Sequence, residues 1–192
     1  TLGFRSNLDI LSIEKAGLAL NEYGHVKTNE FGQTEQEHIY VVGDAERTIS
    51  AVYSMACARV AALHLLGKEP QPVQIEHLPL SFHDHPEAAN VGYTKTDNTH
   101  VNHNVINYNS RNFGAFLNNQ KEGFLKLVWD DQKYLIGASA VGFQAKDLIS
   151  QLALMIKYKI NINELTTHFS AHPSISELAI HALHSISVVD KK

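Results

Sequence analysis

The segment His172-Pro173-Ser174-Ile175-Ser176-Glu177 holds a histidine and a carboxylate at a spacing that suits proton transfer. Imidazole titrates near neutral pH, and a carboxylate bound to one ring nitrogen fixes the tautomer and makes the other nitrogen more basic. Because proline disfavours helix at the residue before it, we expect His172 in an extended turn with its ring free to project. The pattern predicts His172 as an acid/base and Glu177, in the helix that follows, as the group that orients it.

The same residues also allow a purely structural interpretation. Ser174-x-x-Glu177 has the spacing of a capping box, in which the two side chains satisfy free amides at a helix start. The following residues predict a helix over 174–187 whose buried face holds Ile175, Leu178, Ala179, Ala182, Leu183 and Ile186. Spacing alone leaves both interpretations open.

The composition is that of an ordinary globular protein of one or two domains. The 192 residues are 44% hydrophobic and 19% charged, which is enough apolar material to bury a core. A net charge of -4 gives no reason to expect a nucleic-acid partner. No apolar run approaches the roughly 18 residues of a membrane span, so no membrane partner is expected. The one cysteine, Cys57, excludes an internal disulfide, favours a cytoplasmic setting and is expected to be buried.

The N-terminal third predicts a small α/β arrangement with a possible binding turn. A hairpin is expected from Leu18–Asn21 to His25–Thr28, a buried strand over 39–42 and a helix over 49–66. Ligands bind beyond the carboxyl ends of strands in open α/β sheets, so Gly43-Asp44-Ala45 is a candidate binding turn. The alternative is a plain strand, turn and helix in which Asp44 caps the helix.

Beyond a linker at Gly67–Pro72, the pattern changes to strands followed by helices. The strands are predicted over 78–82, 89–93, 104–108, 123–129 and 133–141, the last two joined by a hairpin at Asp130-Asp131-Gln132. Helices are predicted over 144–158, 161–167 and 174–187. Strands first and helices after indicate an antiparallel α+β domain.

The twelve histidines raise the possibility of a metal site. His83 and His85 would share one face of a strand, and His168 and His172 are spaced as neighbours on a helix. Pro173 argues against helix at His172, and no acidic or cysteine ligand completes either pair, so no metal is expected. His181 and His184 are expected to face solvent.

Ordered segments of the chain resemble one known family. Thr34, the Ile39–Asp44 segment and Ala45 look like the second flavin-binding motif of the pyridine nucleotide-disulfide oxidoreductases, of the dihydrolipoyl dehydrogenase and glutathione reductase type. Gly3–Asn7 resembles the Gly-Arg-x-Pro-Asn segment that precedes this motif, with an inserted position and no proline. His172–Glu177 resembles the family's His-Pro-Thr-x-Ser-Glu site, with serine at 174. Further matching segments are Asp84–Gly92, Gly123–Val128, Ile136–Ala138 and Val141–Ala145.

The resemblance implies an α+β fold in two parts. Residues 71–192 would be an antiparallel-sheet dimerisation domain with helices packed on it, and residues 1–70 the C-terminal part of an FAD-binding α/β domain. Asp44 would bind the ribityl chain of FAD, with Gly43 and Ala45 beside it. His172 would exchange protons with a disulfide or dithiol substrate, oriented by Glu177, and the domain would form a homodimer.

The resemblance also implies what lies outside this chain. The family's glycine-rich FAD turn, its cysteine pair and its NAD(P)H domain have no counterpart in the sequence, so we expect a C-terminal fragment of a longer FAD- and NAD(P)-dependent enzyme. By itself the fragment is expected to be inactive and to hold no cofactor tightly. A lipoyl-type substrate is the first expectation. A glutathione reductase-like or other disulfide reductase, or a non-catalytic interaction module, is the alternative. The expected interface is the helix after Pro173 and the sheet edge around Gly123–Val141.

Overall fold

The computed structural model describes residues 5–47, 50–97, 99–108 and 112–189, with side chains as far as residue 187. The chain forms two compact units, Thr1–Ile75 and Glu76–Lys192. Gly3 and Phe4 of the segment that resembles the family motif lie outside the described residues. The N-terminal unit contains helix α1, Ala51–Leu65, and short 3-10 helices at Ile13–Ala16 and Gly43–Ala45.

Helix α1 confirms the helix predicted in this part of the chain. Ser50 caps it, since its hydroxyl accepts a hydrogen bond from the backbone N–H of Tyr53 at 3.2 Å. The alternative role of Asp44 as the cap is therefore wrong. Tyr53, Cys57 and Ala61 form the buried face of the helix, and Cys57 is buried as expected.

The strand predicted over residues 39–42 is not formed. An isolated bridge joins Tyr40 to Gln33, and residues 39–42 are half-buried. The segment pairs with the turn before it, where the N–H of Thr34 donates to Ile39 and the N–H of Val41 donates to Gly32. This local pairing gives no ladder of the length that a strand requires. The expected hairpin around Gly24 is likewise a single bridge, between Leu20 and Val26.

The C-terminal unit is built on a five-stranded antiparallel sheet, as predicted. Its strands lie in the order β1-β2-β5-β4-β3. A hairpin joins β4 to β5 as predicted, and the Asp130 carboxylate accepts the N–H groups of Gln132 and Tyr134 within it. The strands are β1 Leu80–Phe82, β2 Ala88–Gly92, β3 Val101–Asn107, β4 Gly123–Asp130 and β5 Leu135–Gly142.

Over its described residues, this unit also contains three α-helices, which pack around its core. Helix α3, Ala145–Lys157, packs on β2 and β5, and helix α4, Glu177–Val189, packs on β3 and β4. Every residue of the predicted apolar face of α4 is buried. The short helix α2, Phe113–Leu117, was not predicted. The helix expected over 161–167 is a four-residue 3-10 helix, Ile162–Leu165.

Two expectations about the surface of this unit are wrong. Strands β4 and β5 lie inside the sheet, so Gly123–Val141 does not form the sheet edge that was expected at the interface, whereas a role of the helix after Pro173 in an interface stays a prediction. His184 is half-buried instead of solvent-facing, because its Nε2 lies 2.9 Å from the carbonyl oxygen of Leu165 and its ring meets Phe169 edge-on.

Candidate acid/base site

The predicted acid/base pair is brought together in the C-terminal unit. Nδ1 of His172 lies 2.9 Å from Oε1 of Glu177. The buried side chains of Ile175 and Leu178 fix the start of α4 in the core and thereby hold Glu177 in place. His172 lies just before α4 in the non-helical segment expected of a residue that precedes proline.

The two partners differ strongly in exposure. The His172 side chain is 65% exposed, whereas that of Glu177 is 12% exposed. A carboxylate is a hydrogen-bond acceptor, so Nδ1 of His172 must carry the shared proton. Nε2 is then the nitrogen that can take up or release a proton, and the exposed ring makes it accessible to a substrate.

The Glu177 carboxylate is held as an anion at neutral pH. Burial by itself raises its pKa, but the hydrogen bonds from His172 and from the N–H of Ser174, together with nearby histidine charges, lower the pKa below its ordinary value. The charge on His172 when protonated, and on His181, acts in the same direction. Glu177 can therefore orient the imidazole and stabilise the imidazolium.

One of the two hydrogen bonds of a capping box is formed here, so Glu177 takes part in both the acid/base pair and the capping contact that the sequence suggested. Oε2 of Glu177 accepts the N–H of Ser174 at 2.8 Å, as the carboxylate in a capping box does. The Ser174 hydroxyl is buried and has no hydrogen-bond partner among the described residues. Because α4 begins at Glu177, the bond from the Ser174 N–H holds the turn before the helix, and Glu177 uses its other oxygen to bind His172.

Helix α2, which the sequence pattern did not indicate, lies against this site. The ring of Phe113 stacks on His172 with 5.4 Å between ring centroids and an angle of 21° between ring planes. The buried side chain of Asn112 accepts the N–H of Ala115 at 2.8 Å and so caps the helix. An asparagine before a short apolar run was the signal in the sequence that could have indicated this helix.

The predicted binding turn lies in the N-terminal unit. Gly43–Ala45 forms a 3-10 helix in which Gly43 is buried with a φ of 72°, a left-handed conformation that favours glycine. The carbonyl of Ala45 accepts the N–H of Val26 at 2.9 Å, which ties the turn to the preceding segment. The Asp44 side chain is exposed and leaves a carboxylate free to accept hydrogen bonds.

The histidines expected on one strand face do not share a strand. Strand β1 ends at Phe82, and His83 and His85 follow it in a turn where the Asp84 carboxylate accepts the N–H of His85 at 2.8 Å. Across the described ranges 5–47, 50–97, 99–108 and 112–189, no group of three or more His, Cys, Asp or Glu side chains could hold a metal ion. None of the helices in these same ranges is long and apolar enough to cross a bilayer.

Two family models match the chain. The model of the pyridine nucleotide-disulphide oxidoreductase dimerisation domain matches residues 78–183, more than half of the chain. The chain belongs to the pyridine nucleotide-disulphide oxidoreductase family. A second model of this family matches residues 1–61. The family that the sequence resembles is thereby confirmed, and so is its antiparallel α+β fold.

Several of its relatives in sequence are dihydrolipoyl dehydrogenases. The dihydrolipoyl dehydrogenase of Bacillus subtilis is 28% identical over 95% of this chain and 40% of its own length. Dihydrolipoyl dehydrogenase 2 of Haloarcula marismortui is 31% identical over 90% of this chain and 37% of its own length. The chain thus spans about two fifths of the length of these curated relatives.

Solved structures show the same fold. LpdA from Mycobacterium tuberculosis has a TM-score of 0.87 at 23% identity, over 97% of this chain and 42% of that one. The HOCl-induced flavoprotein disulfide reductase RclA from Escherichia coli has a TM-score of 0.85 at 22% identity, over 97% of this chain and 44% of that one.

Proposed function

We propose that this chain is part of an FAD- and NAD(P)-dependent disulfide oxidoreductase of the dihydrolipoyl dehydrogenase type, in which His172 and Glu177 are the acid/base pair. The observation that carries the proposal is the 2.9 Å contact between Nδ1 of the exposed His172 and the Glu177 carboxylate. The names of the relatives support a lipoyl-type dithiol as the substrate. A homodimer is proposed as the assembly, because the C-terminal unit matches a dimerisation domain.

Proton transfer at a thiol is the chemistry that this pair can perform. The thiolate is the reactive form of a thiol, and a free thiol is largely protonated at neutral pH. Nε2 of His172 would take the proton from a substrate thiol and leave a thiolate, while Glu177 stabilises the resulting imidazolium through Nδ1. In the reverse direction the imidazolium would return the proton to the sulfur.

The N-terminal unit fits one part of a flavin site. The exposed Asp44 carboxylate can accept hydrogen bonds from the hydroxyl groups of a ribityl chain. Gly43 and Ala45 would contribute the backbone of the turn on either side of Asp44. FAD supplies the two-electron chemistry that links a nicotinamide to a disulfide. This chain would bind and orient one section of FAD.

A histidine substitution in the intact protein that carries this chain tests the proposal. We expect His172→Gln to lower turnover with dihydrolipoamide by about 100-fold or more, because general acid–base catalysis at Nε2 is lost. His85→Gln is the matched control, since His85 is also exposed and also precedes a proline. It should keep wild-type turnover. A His172→Gln enzyme within about threefold of wild type would overturn the acid/base assignment.

The same assay separates the enzyme from the alternative interaction module. A wild-type protein without turnover on dihydrolipoamide, oxidised glutathione or small disulfides would reject the proposed activity. Turnover with oxidised glutathione but not with dihydrolipoamide would support the acid/base assignment and reject the lipoyl-type substrate.

A further inference from the structure

We propose that Phe113 is a positioning residue for His172, which deepens the function proposed above and rests on it. Among the described residues, two contacts hold the imidazole: the Glu177 carboxylate at Nδ1 and the Phe113 ring on its face. The hydrogen bond fixes one ring atom, whereas the stack fixes the plane of the ring. Together they define one orientation, in which Nε2 points away from Glu177.

The stacking ring is held on a fixed support. Asn112 is 2% exposed, and its side-chain N–H donates to the carbonyl oxygen of Ser174 at 3.5 Å while its carbonyl oxygen caps α2. The backbone of α2 also packs at Gly114 directly against Ser174. Helix α2 is therefore joined to the residues between His172 and Glu177, which fixes the backbone from which Phe113 projects.

Exposure explains why a second contact is needed. A side chain that is 65% exposed can rotate into solvent, which breaks the hydrogen bond from Nδ1 to the Glu177 carboxylate and removes the preference for the Nδ1-protonated tautomer. An aromatic pair of this geometry changes the ratio of two conformers by roughly 2- to 12-fold. The ring of Phe116 stacks in turn on Phe113, with 5.9 Å between ring centroids.

The test is a measurement of the His172 tautomer by NMR in the 192-residue chain labelled with 15N-histidine. In the wild-type chain above pH 8 we expect Nδ1 to give the signal of a protonated nitrogen and Nε2 that of a bare one. Phe113→Leu removes the ring and keeps an apolar side chain. It should lower the ratio of this tautomer to the other by roughly 2- to 12-fold.

Two further variants separate positioning from folding. Phe113→Tyr keeps the aromatic face and should restore the wild-type ratio. Phe169→Leu is the matched control, because Phe169 is an exposed phenylalanine whose ring contacts a different histidine, His184. It should change the signals of His184 and leave those of His172 unchanged.

The outcomes are distinct from those of the activity test. A His172 tautomer ratio that is the same in Phe113→Leu as in wild type would overturn the positioning role, whatever the enzyme's turnover. A ratio that falls in Phe113→Leu and is not restored in Phe113→Tyr would also overturn it, because the loss would then come from the helix and not from the ring. If Phe113→Tyr restores the His172 tautomer ratio while His172→Gln keeps full turnover, Phe113 positions the ring as proposed but His172 is not the acid/base.

Discussion

Gly114 lies so close to the backbone of Ser174 that no larger residue fits between them. A Cβ atom at position 114 would come within 2.5 Å of the Ser174 carbonyl oxygen and 2.6 Å of the Ile175 nitrogen. Both neighbours are backbone atoms, so a rotamer change cannot relieve the contact. The segment before α4 and the helix α2 thus meet backbone to backbone, next to the candidate base.

We expect Gly114→Ala to destabilise the C-terminal unit by about 1–3 kcal/mol, because overpacking forces backbone shifts. Urea unfolding followed by tryptophan fluorescence measures the change, since Trp129 lies in the core of this unit. Leu117→Ala is the control, because Leu117 belongs to the same helix and is exposed. A Gly114→Ala chain as stable as wild type would mean that α2 can move away from Ser174 without cost.

Glu177 predicts a pH dependence of stability with a definite sign. Its pKa is lowered in the folded chain, from an ordinary value of 4.5, so the unfolded chain binds more protons than the folded one in this range. Its contribution is present above about pH 4.5 and is lost as the pH falls through the lower, folded-state pKa. The free energy of unfolding of Glu177→Gln should therefore lie below that of wild type at pH 6 and approach it on acidification.

Unfolding curves in urea at a series of pH values measure this difference. Glu164→Gln, on the exposed side of the 3-10 helix Ile162–Leu165, provides the matched control and should follow the wild-type curve. A gap between wild type and Glu177→Gln that widens toward acid pH would contradict the expected direction of the effect.

The homodimer can be tested on the chain itself. Exposed large apolar residues remain on the C-terminal unit, among them Phe113, Leu154, Tyr158 and Phe169. A second copy of the chain would remove part of this surface from water, and obligate homodimer interfaces bury roughly 2,000 Å² or more. Sedimentation equilibrium should report about twice the chain mass of 21.4 kDa. A single species at the chain mass over the micromolar range would reject autonomous dimerisation.

The elements that the sequence predicted well are those whose stability is encoded locally. Apolar runs on either side of the Asp130-Asp131-Gln132 turn define the β4–β5 hairpin, and the apolar periodicity after Ser174 defines α4. Helix α2 was missed because five residues that include a glycine carry a weak helical signal, and its support comes from Asn112 and Ser174 through the fold. The strand expected at 39–42 failed for the opposite reason, since an apolar run favours a strand but cannot supply the partner that a ladder needs.

Within the candidate site, too, the sequence predicted the local contact and missed the distant one. His172 and Glu177 are near neighbours in sequence, so their spacing was enough to predict their contact. Phe113 is distant from both along the chain, and its contact with His172 follows from the way β3, α2 and β4 lead the chain past the start of α4. A sequence pattern records which residue types follow one another, and this contact depends instead on the tertiary path.

The link between α2 and the segment before α4 also limits how this chain can be recombined with its relatives. Exchanging residues 172–189 alone would transfer the imidazole and its carboxylate but leave behind Phe113, which stacks on the ring, and Gly114, which makes room for the new backbone. A chimera that exchanges residues 112–117 together with 172–189 would keep the imidazole with the surface that orients it. In a grafting or shuffling experiment, residues 112–117 and 172–189 should therefore be exchanged together although they lie far apart in the sequence.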